Sequence, residues 1–316
     1  MNDLFSVPIS ITSAPQALAT VSQWLTERLR DKGQGTRGKS STLSPKPLAL
    51  IPKIVVTPNP EMIVAAQSDP EFLKALQSAD LAIPDGIGVV WALKLLRDPN
   101  NPNKHPNYPN SEHSDAFVDW DRFHPLSGLD LMESLIAVAA AKGWRVMLLG
   151  GKPGVAAQAA AKLRLKLETR NSKLEINPND QNSKSKMVSD FGFRISDFRI
   201  RPLSGLKDIT QTSKTELDEL INSINRFRPD LLFVAFGHGK QEKWLNANRH
   251  RLNVGVAMGV GGALDQIADP SLRPSAYINS IGLGWLYRLL REPWRWRRQL
   301  ALIKFAGIVL QERLKS

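Results

Sequence analysis

Short apolar runs alternate with longer, helix-length stretches along most of this chain. The apolar runs are rich in Val, Ile and Leu, which is typical of strands buried on both faces of a parallel sheet. They predict strands at residues 49–56, 81–83, 145–149, 231–236 and 254–260. The longer stretches predict helices at residues 60–77, 87–96, 128–141, 155–167, 215–226 and 241–251. This alternation predicts an α/β fold with a doubly wound, mainly parallel sheet and helices on both faces.

Three polar stretches interrupt the alternation, at residues 31–47, 98–115 and 171–212. Such stretches bury too little apolar surface to offset the entropy lost on ordering, so we interpret all three mainly as inserted surface loops. The third contains a short sequence repeat, FRISDFRI at residues 193–200, that could form a short hairpin.

The end of the chain has a different pattern. It predicts two helices, at residues 279–290 and 294–310, which separate near Pro293 because proline is tolerated at a helix start but poorly inside a helix. We therefore predict an α/β domain over residues 1–269 and a helical appendage over residues 270–316.

Positive charge is concentrated in this appendage. The whole chain carries a net charge of +12, and residues 270–316 contain nine basic residues against two acidic ones. Tryptophans mixed with cations suit an anionic membrane surface. A helix packed on the domain with a solvated basic face is the alternative. Nucleic-acid binding is less favoured because no recognised binding motif accompanies the charge.

Bulk composition excludes some chemistry. With 42% hydrophobic and 23% charged residues, the chain can bury an ordinary globular core. It contains no cysteine, which excludes disulfides, thiolate metal sites and a cysteine nucleophile. Neither a signal peptide nor an apolar run of about 20 residues is evident, so we expect a soluble or peripheral protein.

Loops that follow the strands of a parallel sheet are where ligands usually bind. After the first predicted strand, Thr57 and Asn59 could hydrogen-bond a sugar or phosphate, or could simply cap a helix. After the second, Asp85 precedes Gly86 and Gly88. A partly desolvated carboxylate there could act as a general base. The alternative is that Asp85 only stabilises a turn or caps a helix.

Three further loops are rich in glycine. The turn around Gly151 and Gly154 and the turn containing Gly261 and Gly262 could bind an anion through backbone N–H groups, or could be turns without a ligand. In the loop between them along the chain, Gln241 could bind a base or sugar, and Lys240 and Lys243 could meet a diphosphate or face solvent. His238 could be a catalytic base or could be incidental.

Metal chemistry has weak support in the sequence. The five histidines show no metal-ligand spacing. Asp119 and Asp121 form a D-x-D pattern that could hold a metal on a donor diphosphate, but it borders a polar loop with no clear apolar strand leading into it. We therefore predict no metal site.

Seven motifs, in order along the chain, resemble those of the WecG/TagA/CpsF family of bacterial glycosyltransferases. They are TPNPE at 57–61, ADLAIPDGIGVV at 79–90, SGLDL at 127–131, LLGGKPGV at 148–155, KQEKW at 240–244, GVGGALD at 259–265 and WLYRLLREP at 285–293. The resemblance covers nearly all of the chain outside the three insertions.

This resemblance implies an inverting transferase that needs neither a metal nor another cofactor. It implies transfer of an N-acetylmannosamine-type sugar from a UDP donor to a sugar carried on polyprenyl diphosphate, in cell-surface polysaccharide synthesis. It places the protein in the cytoplasm, peripheral at the inner face of the cytoplasmic membrane. A non-catalytic nucleotide-sugar sensor or membrane adaptor on the same fold stays open, as does a homo-oligomer.

The family's functional residues are assigned to the positions of this chain where its motifs match. The catalytic base falls on Asp85, and substrate-binding residues fall on Thr57, Asn59 and Gln241. A family arginine usually found three residues before the glycine of the SGLDL stretch is carried over to Arg122, six before it. The resemblance also implies that three arginines of the appendage bind the acceptor diphosphate at the membrane: Arg288, Arg295 and Arg298.

Overall fold

The structure is a computed structural model that describes residues 2–34, 51–96, 126–175, 198–205, 208–280, 283–293 and 296–315. The chain forms two compact units. The first unit comprises Met1–Ala17, Ile54–Asp130 and Ser271–Ser316, and the second comprises Leu18–Lys53 and Leu131–Pro270. Most of the predicted appendage, 270–316, lies in the first unit.

Two small sets of strands organise the first unit. Strands β1 (Asn2–Leu4) and β2 (Val7–Ile9) form an antiparallel hairpin. Its two turn residues, Phe5 and Ser6, both have positive φ, as the tight turns of two-residue hairpins require. Strands β3 (Lys53–Val56) and β4 (Leu81–Ala82) pair in parallel, with Val55 opposite Leu81.

The helix predicted over residues 60–77 is two helices, α2 (Pro60–Ala66) and α3 (Pro70–Gln77). The break lies before Pro70, because proline fits the first turn of a helix but not its interior. Asp69 caps α3 by accepting a hydrogen bond from the Phe72 N–H at 3.0 Å. Helix α4 (Ile87–Leu95) follows β4.

The second unit is built around four parallel strands in the order β6-β5-β7-β8. These strands are β5 (Val146–Gly150), β6 (Ile200–Leu203), β7 (Leu231–Ala235) and β8 (Val256–Gly259). Every residue of β5, β7 and β8 is buried, which explains why these strands read as continuous apolar runs in the sequence.

Helices precede, connect and follow these strands. They are α1 (Ala14–Gln34), α5 (Gly128–Lys142), α6 (Val155–Glu175), α7 (Lys214–Phe227), α8 (Lys240–Asn248) and α9 (Ala263–Ala268). Parallel strands with connecting helices confirm the predicted α/β class.

Several elements differ from the sequence prediction. Strand β6 and the end of α6 lie inside the stretch 171–212 that the composition predicts to be mainly a surface loop. Only one residue of β6, Ile200, is buried, so this edge strand lacks the apolar run that marks the inner strands. Helix α1 reaches Gln34, inside the first predicted insertion, and the sequence pattern does not predict it. Residues 98–115 lie outside the described residues.

The C-terminal helices are α10 (Ala276–Ser280), α11 (Gly284–Arg291) and α12 (Trp296–Lys315). Helix α12 packs on α2 and α4 through its buried residues Phe305 and Val309. The Phe305 ring meets the Phe5 ring edge to face, with centroids 6.5 Å apart. Within the described parts of the chain, no helix is long and apolar enough to cross a membrane.

We expect Gly150→Ala to destabilise the protein. Gly150 has φ +104°, and a Cβ built there would lie 2.6 Å from the Ala235 carbonyl oxygen. Strain of this kind costs about 1–3 kcal/mol. Urea denaturation should therefore show a clear loss of unfolding free energy.

Gly307→Ala is the matched control. Gly307 lies inside α12, where an added Cβ would meet no atom within 4 Å. Because alanine favours a helix interior over glycine by about 0.5–1 kcal/mol, this variant should be as stable as the parent or slightly more stable. Equal stability of the two variants would contradict the steric account of Gly150.

Candidate active site

Asp85 lies in the loop between β4 and α4, and that loop is tied to the loop after β3. The Ile83 N–H donates to the Val56 carbonyl and the Asp85 N–H donates to the Pro58 carbonyl, both at 2.9 Å. Gly86, with φ +90°, is the N-cap residue of α4. These bonds hold the Asp85 backbone beside the end of β3.

The first turn of α5 completes this cluster. The Gly128 backbone N–H donates a hydrogen bond to the Asp85 carboxylate. Gly128 also lies against Thr57, because a Cβ built at Gly128 would be only 2.9 Å from the Thr57 Oγ1 atom. Asp85, Thr57 and the start of α5 therefore meet, and glycine is required for that approach.

Burial raises the pKa of Asp85 to about 6. The Gly128 N–H and the positive charge of Arg288 lower this pKa, while the negative charges of Asp130 and Glu61 raise it further. A carboxyl with a pKa close to neutrality is suited to general acid–base chemistry.

Asp130 and Arg273 support the start of α5. Asp130 accepts hydrogen bonds from the Ser127 hydroxyl at 2.6 Å and from Arg273 Nη2 at 2.7 Å, and the Asp130 N–H donates to Ser127 Oγ. In the sequence, Ser127 and Asp130 stand out only as part of a motif. Their three-residue spacing, typical of a helix start, was the available signal.

Other predicted residues of the first unit form hydrogen bonds of their own. Asn59 caps α2, because its Oδ1 accepts from the Met62 N–H at 2.9 Å, so the capping interpretation is confirmed for this residue. Arg288 donates to Glu292 at 2.9 Å, one turn along the chain. Arg298 is exposed on the first turn of α12. Four predicted residues lie outside the described residues: Arg122, Arg295, Asp119 and Asp121.

The glycine loops of the second unit use part of their hydrogen-bonding capacity internally. The Gly151 N–H donates to the Ala235 carbonyl at 2.9 Å, and the Gly261 N–H donates to Gln241 Oε1 at 3.0 Å. These two amides are therefore already engaged. Of the four glycines predicted to bind an anion, Gly154 and Gly262 are the better candidates.

Gln241 and Glu242 form a buried network at the start of α8. Gln241 Nε2 donates to Glu242 Oε1 at 2.8 Å, and the Gly239 N–H donates to Glu242 Oε2 at 2.7 Å. Burial raises the pKa of Glu242 to about 7, although hydrogen bonds from Gln241 and Gly239 oppose that shift. Glu242 was not predicted as a site residue. Its place three residues after Gly239 matches the capping-box spacing.

Lys240, one of the residues considered for a diphosphate, forms an ion pair instead. Its Nζ lies 3.0 Å from Asp208 Oδ1 on the surface of the second unit. The Thr210 backbone N–H and Lys240 together lower the pKa of Asp208 to about 2. In the described part of the chain, no three acidic or histidine side chains group as a metal site would need.

An α/β fold with a half-buried carboxyl at the end of a parallel strand provides what an enzyme with a general base needs. The chain matches the family described as "Glycosyl transferase WecG/TagA/CpsF family" over residues 46–113, 121–191 and 192–316, and it belongs to that family. It is accordingly a glycosyltransferase, as the motifs had indicated.

Two relatives carry the same name, N-acetylglucosaminyldiphosphoundecaprenol N-acetyl-beta-D-mannosaminyltransferase. The protein from Bacillus subtilis (strain 168) is 29% identical over 259 residues, which cover 82% of this chain and 79% of the relative. The protein from Bacillus spizizenii is 28% identical over 262 residues, which cover 83% of this chain and 80% of that relative.

We expect Asp85→Asn to be more stable than the parent at alkaline pH. The pKa of Asp85 is raised from 3.8 to about 6 on folding, so ionisation costs the folded state stability as pH rises through that window. At about 1.4 kcal/mol per pKa unit, the full cost above pH 6 is about 3 kcal/mol.

Urea denaturation at pH 8 and pH 4 measures this cost. The variant should gain stability over the parent at pH 8, and the two proteins should converge at pH 4, where the parent's Asp85 is protonated in the folded state. A difference that does not change between the two pH values would show that burial does not perturb this carboxyl.

Proposed function

We propose that this glycosyltransferase moves an N-acetylmannosamine-type sugar from a UDP donor to a sugar linked to polyprenyl diphosphate, with inversion and without a metal ion. The acceptor and the sugar are supported by the names of the two relatives. The observation that carries the proposal is the Asp85 cluster, where a carboxyl with a raised pKa accepts the Gly128 N–H beside Thr57.

Asp85 is the general base of the proposed reaction. It removes the proton of the acceptor hydroxyl as that oxygen attacks the anomeric carbon of the donor sugar. The new bond joins the acceptor oxygen to that carbon, while the bond from the carbon to the diphosphate oxygen breaks and UDP leaves with the electron pair. A single displacement from the opposite face inverts the anomeric configuration.

The departing diphosphate carries negative charge that must be stabilised. We assign this role to backbone N–H groups at the glycine turns, chiefly those of Gly154 and Gly262, and to arginines. Thr57 and the Asn59 amide contribute polar contacts to the sugar. Arg122 is assigned to the donor side on the family motif alone.

The acceptor lipid requires a membrane surface, and the end of the chain is suited to one. Exposed apolar residues occur on α11 and α12, including Trp285, Leu290, Trp296 and Ile303. Exposed cations lie among them: Arg291, Arg297, Arg298 and Lys304. Cations meet lipid phosphates while apolar side chains enter the interface. Arg288, Arg295 and Arg298 are proposed to meet the acceptor diphosphate there.

We expect Asp85→Asn to lose turnover by at least about 100-fold, because general base catalysis typically contributes 10²–10⁴-fold. The assay measures UDP release from UDP-N-acetylmannosamine with a short-chain lipid-linked N-acetylglucosamine diphosphate. It includes EDTA, so that activity also tests metal independence.

Glu219→Gln is the control for this variant, because Glu219 is an exposed carboxylate on α7. It should keep parental turnover. Near-parental turnover by Asp85→Asn would refute the role of Asp85, and loss of activity in EDTA would refute metal independence. No release with a full panel of UDP-sugars would favour a non-catalytic sensor.

We expect Arg297→Gln with Arg298→Gln to weaken binding to anionic vesicles. Each basic residue near such a surface contributes about 1 kcal/mol, so losing two should weaken binding roughly thirtyfold. Vesicle sedimentation at fixed lipid concentration measures the change.

The charge-matched control is Lys162→Gln with Arg226→Gln, two exposed cations on α6 and α7. It should sediment like the parent. Equal weakening by both double variants would mean that overall charge drives binding and that α12 is not the membrane-facing surface.

A further inference from the structure

A chain of side-chain hydrogen bonds joins the loops that follow β7 and β8. From the β7 side, the Gly239 N–H donates to Glu242, whose other carboxylate oxygen accepts from Gln241 Nε2. Gln241 Oε1 then accepts the N–H of Gly261, in the loop after β8. Two adjacent residues of α8 thus connect the two loops.

The burial of this pair leaves Gln241 little capacity to contact a ligand. Gln241 is 3% exposed and Glu242 is 2% exposed. The Gln241 amide already uses its oxygen for Gly261 and one N–H for Glu242. One N–H and one oxygen lone pair of that amide remain, inside a buried environment.

The end of β8 is shaped around the same pair. A Cβ built at Gly259 would lie 2.7 Å from Gln241 Nε2 and 2.9 Å from Glu242 Oε1. Gly239 and Gly261 both have positive φ, so each loop has the backbone conformation that presents its N–H to the pair. These contacts therefore depend on glycine at positions 239, 259 and 261.

We infer that Gln241 and Glu242 are positioning residues that form a buried latch between the β7 and β8 loops, and that Gln241 does not itself contact the donor. The inference rests on the proposed function, in which strand-end loops of the second unit bind the nucleotide. The latch sets the separation of the two loops, and donor affinity depends on that separation.

The test exchanges the two side chains, in a double variant that combines Gln241→Glu with Glu242→Gln. The amide oxygen introduced at position 242 can accept the Gly239 N–H, while the same amide donates to the carboxylate introduced at position 241. The second oxygen of that carboxylate can accept the Gly261 N–H. Each single variant disrupts the chain. Gln241→Glu brings together two carboxyls that can meet only by taking up a proton, and Glu242→Gln leaves a donor facing a donor.

Two quantities are measured on the full chain: the affinity for UDP by isothermal titration calorimetry, and the midpoint of thermal unfolding. Loss of a buried hydrogen bond should weaken UDP binding about tenfold in each single variant and lower both midpoints. The double variant should recover both quantities, with UDP affinity within about threefold of the parent.

Recovery of the unfolding midpoint without recovery of UDP affinity would overturn the inference, since it would show that the Gln241 amide contacts the nucleotide directly. Single variants with parental UDP affinity would also overturn it, because the latch would then be structural only. Glu216→Gln, in the exposed capping box of α7, is the matched control and should leave UDP affinity unchanged.

Failure of the proposed function is distinguishable from failure of the latch. If the parent protein bound no UDP, both the proposal of a UDP donor and the role of the latch in donor binding would be refuted. Recovery of the unfolding midpoint in the double variant would still show that the hydrogen-bonded link between the loops exists.

Discussion

Hydrogen bonds between neighbouring strand-end loops are the constraint on which the candidate site residues of both units depend. Parallel strands end at the same edge of a sheet, so their following loops are adjacent, and their backbone groups need partners. The Asp85 backbone N–H donates to the Pro58 carbonyl in the first unit, and the Gly151 N–H donates to the Ala235 carbonyl in the second. Because these partners are backbone atoms, these two contacts depend on strand pairing and not on side-chain identity, and the glycines permit the close approach.

Two carboxyls are held in similar conditions and are suited to different tasks. Burial raises the pKa of both Asp85 and Glu242 toward neutrality. Glu242 has its two oxygens engaged by Gln241 and by the Gly239 N–H, so it maintains geometry. Asp85 accepts the Gly128 N–H beside a polar residue and is only half-buried, so part of the residue stays accessible to solvent. The stability lost by burying an ionisable Asp85 is consistent with a catalytic role.

Helix α12 reconciles two interpretations that the sequence left as alternatives. Phe305 and Val309 pack it against the first unit, so it is a packed helix. On the same helix, Ile303 is 72% exposed and Leu314 is 88% exposed, beside exposed cations. Phe305, although it lies in this basic segment, belongs to the core with Phe5. One helix therefore has a packed face and an exposed face that is both apolar and basic.

The sequence by itself determined the α/β class, the inner strands and the position of Asp85, because buried parallel strands are continuous apolar runs and the motifs follow them directly. It did not reveal β6, because an edge strand has little apolar signal. The break before Pro70 is marked in the sequence by Asp69 and Pro70, but the helix pattern over residues 60–77 did not separate the two helices. Nor did it show the partners of the site residues. The contact of Gly128 with Asp85 joins residues 43 positions apart, and that of Gln241 with Gly261 joins residues 20 apart. Only the tertiary structure decided these contacts, because they form when separate strand ends are brought to a common edge.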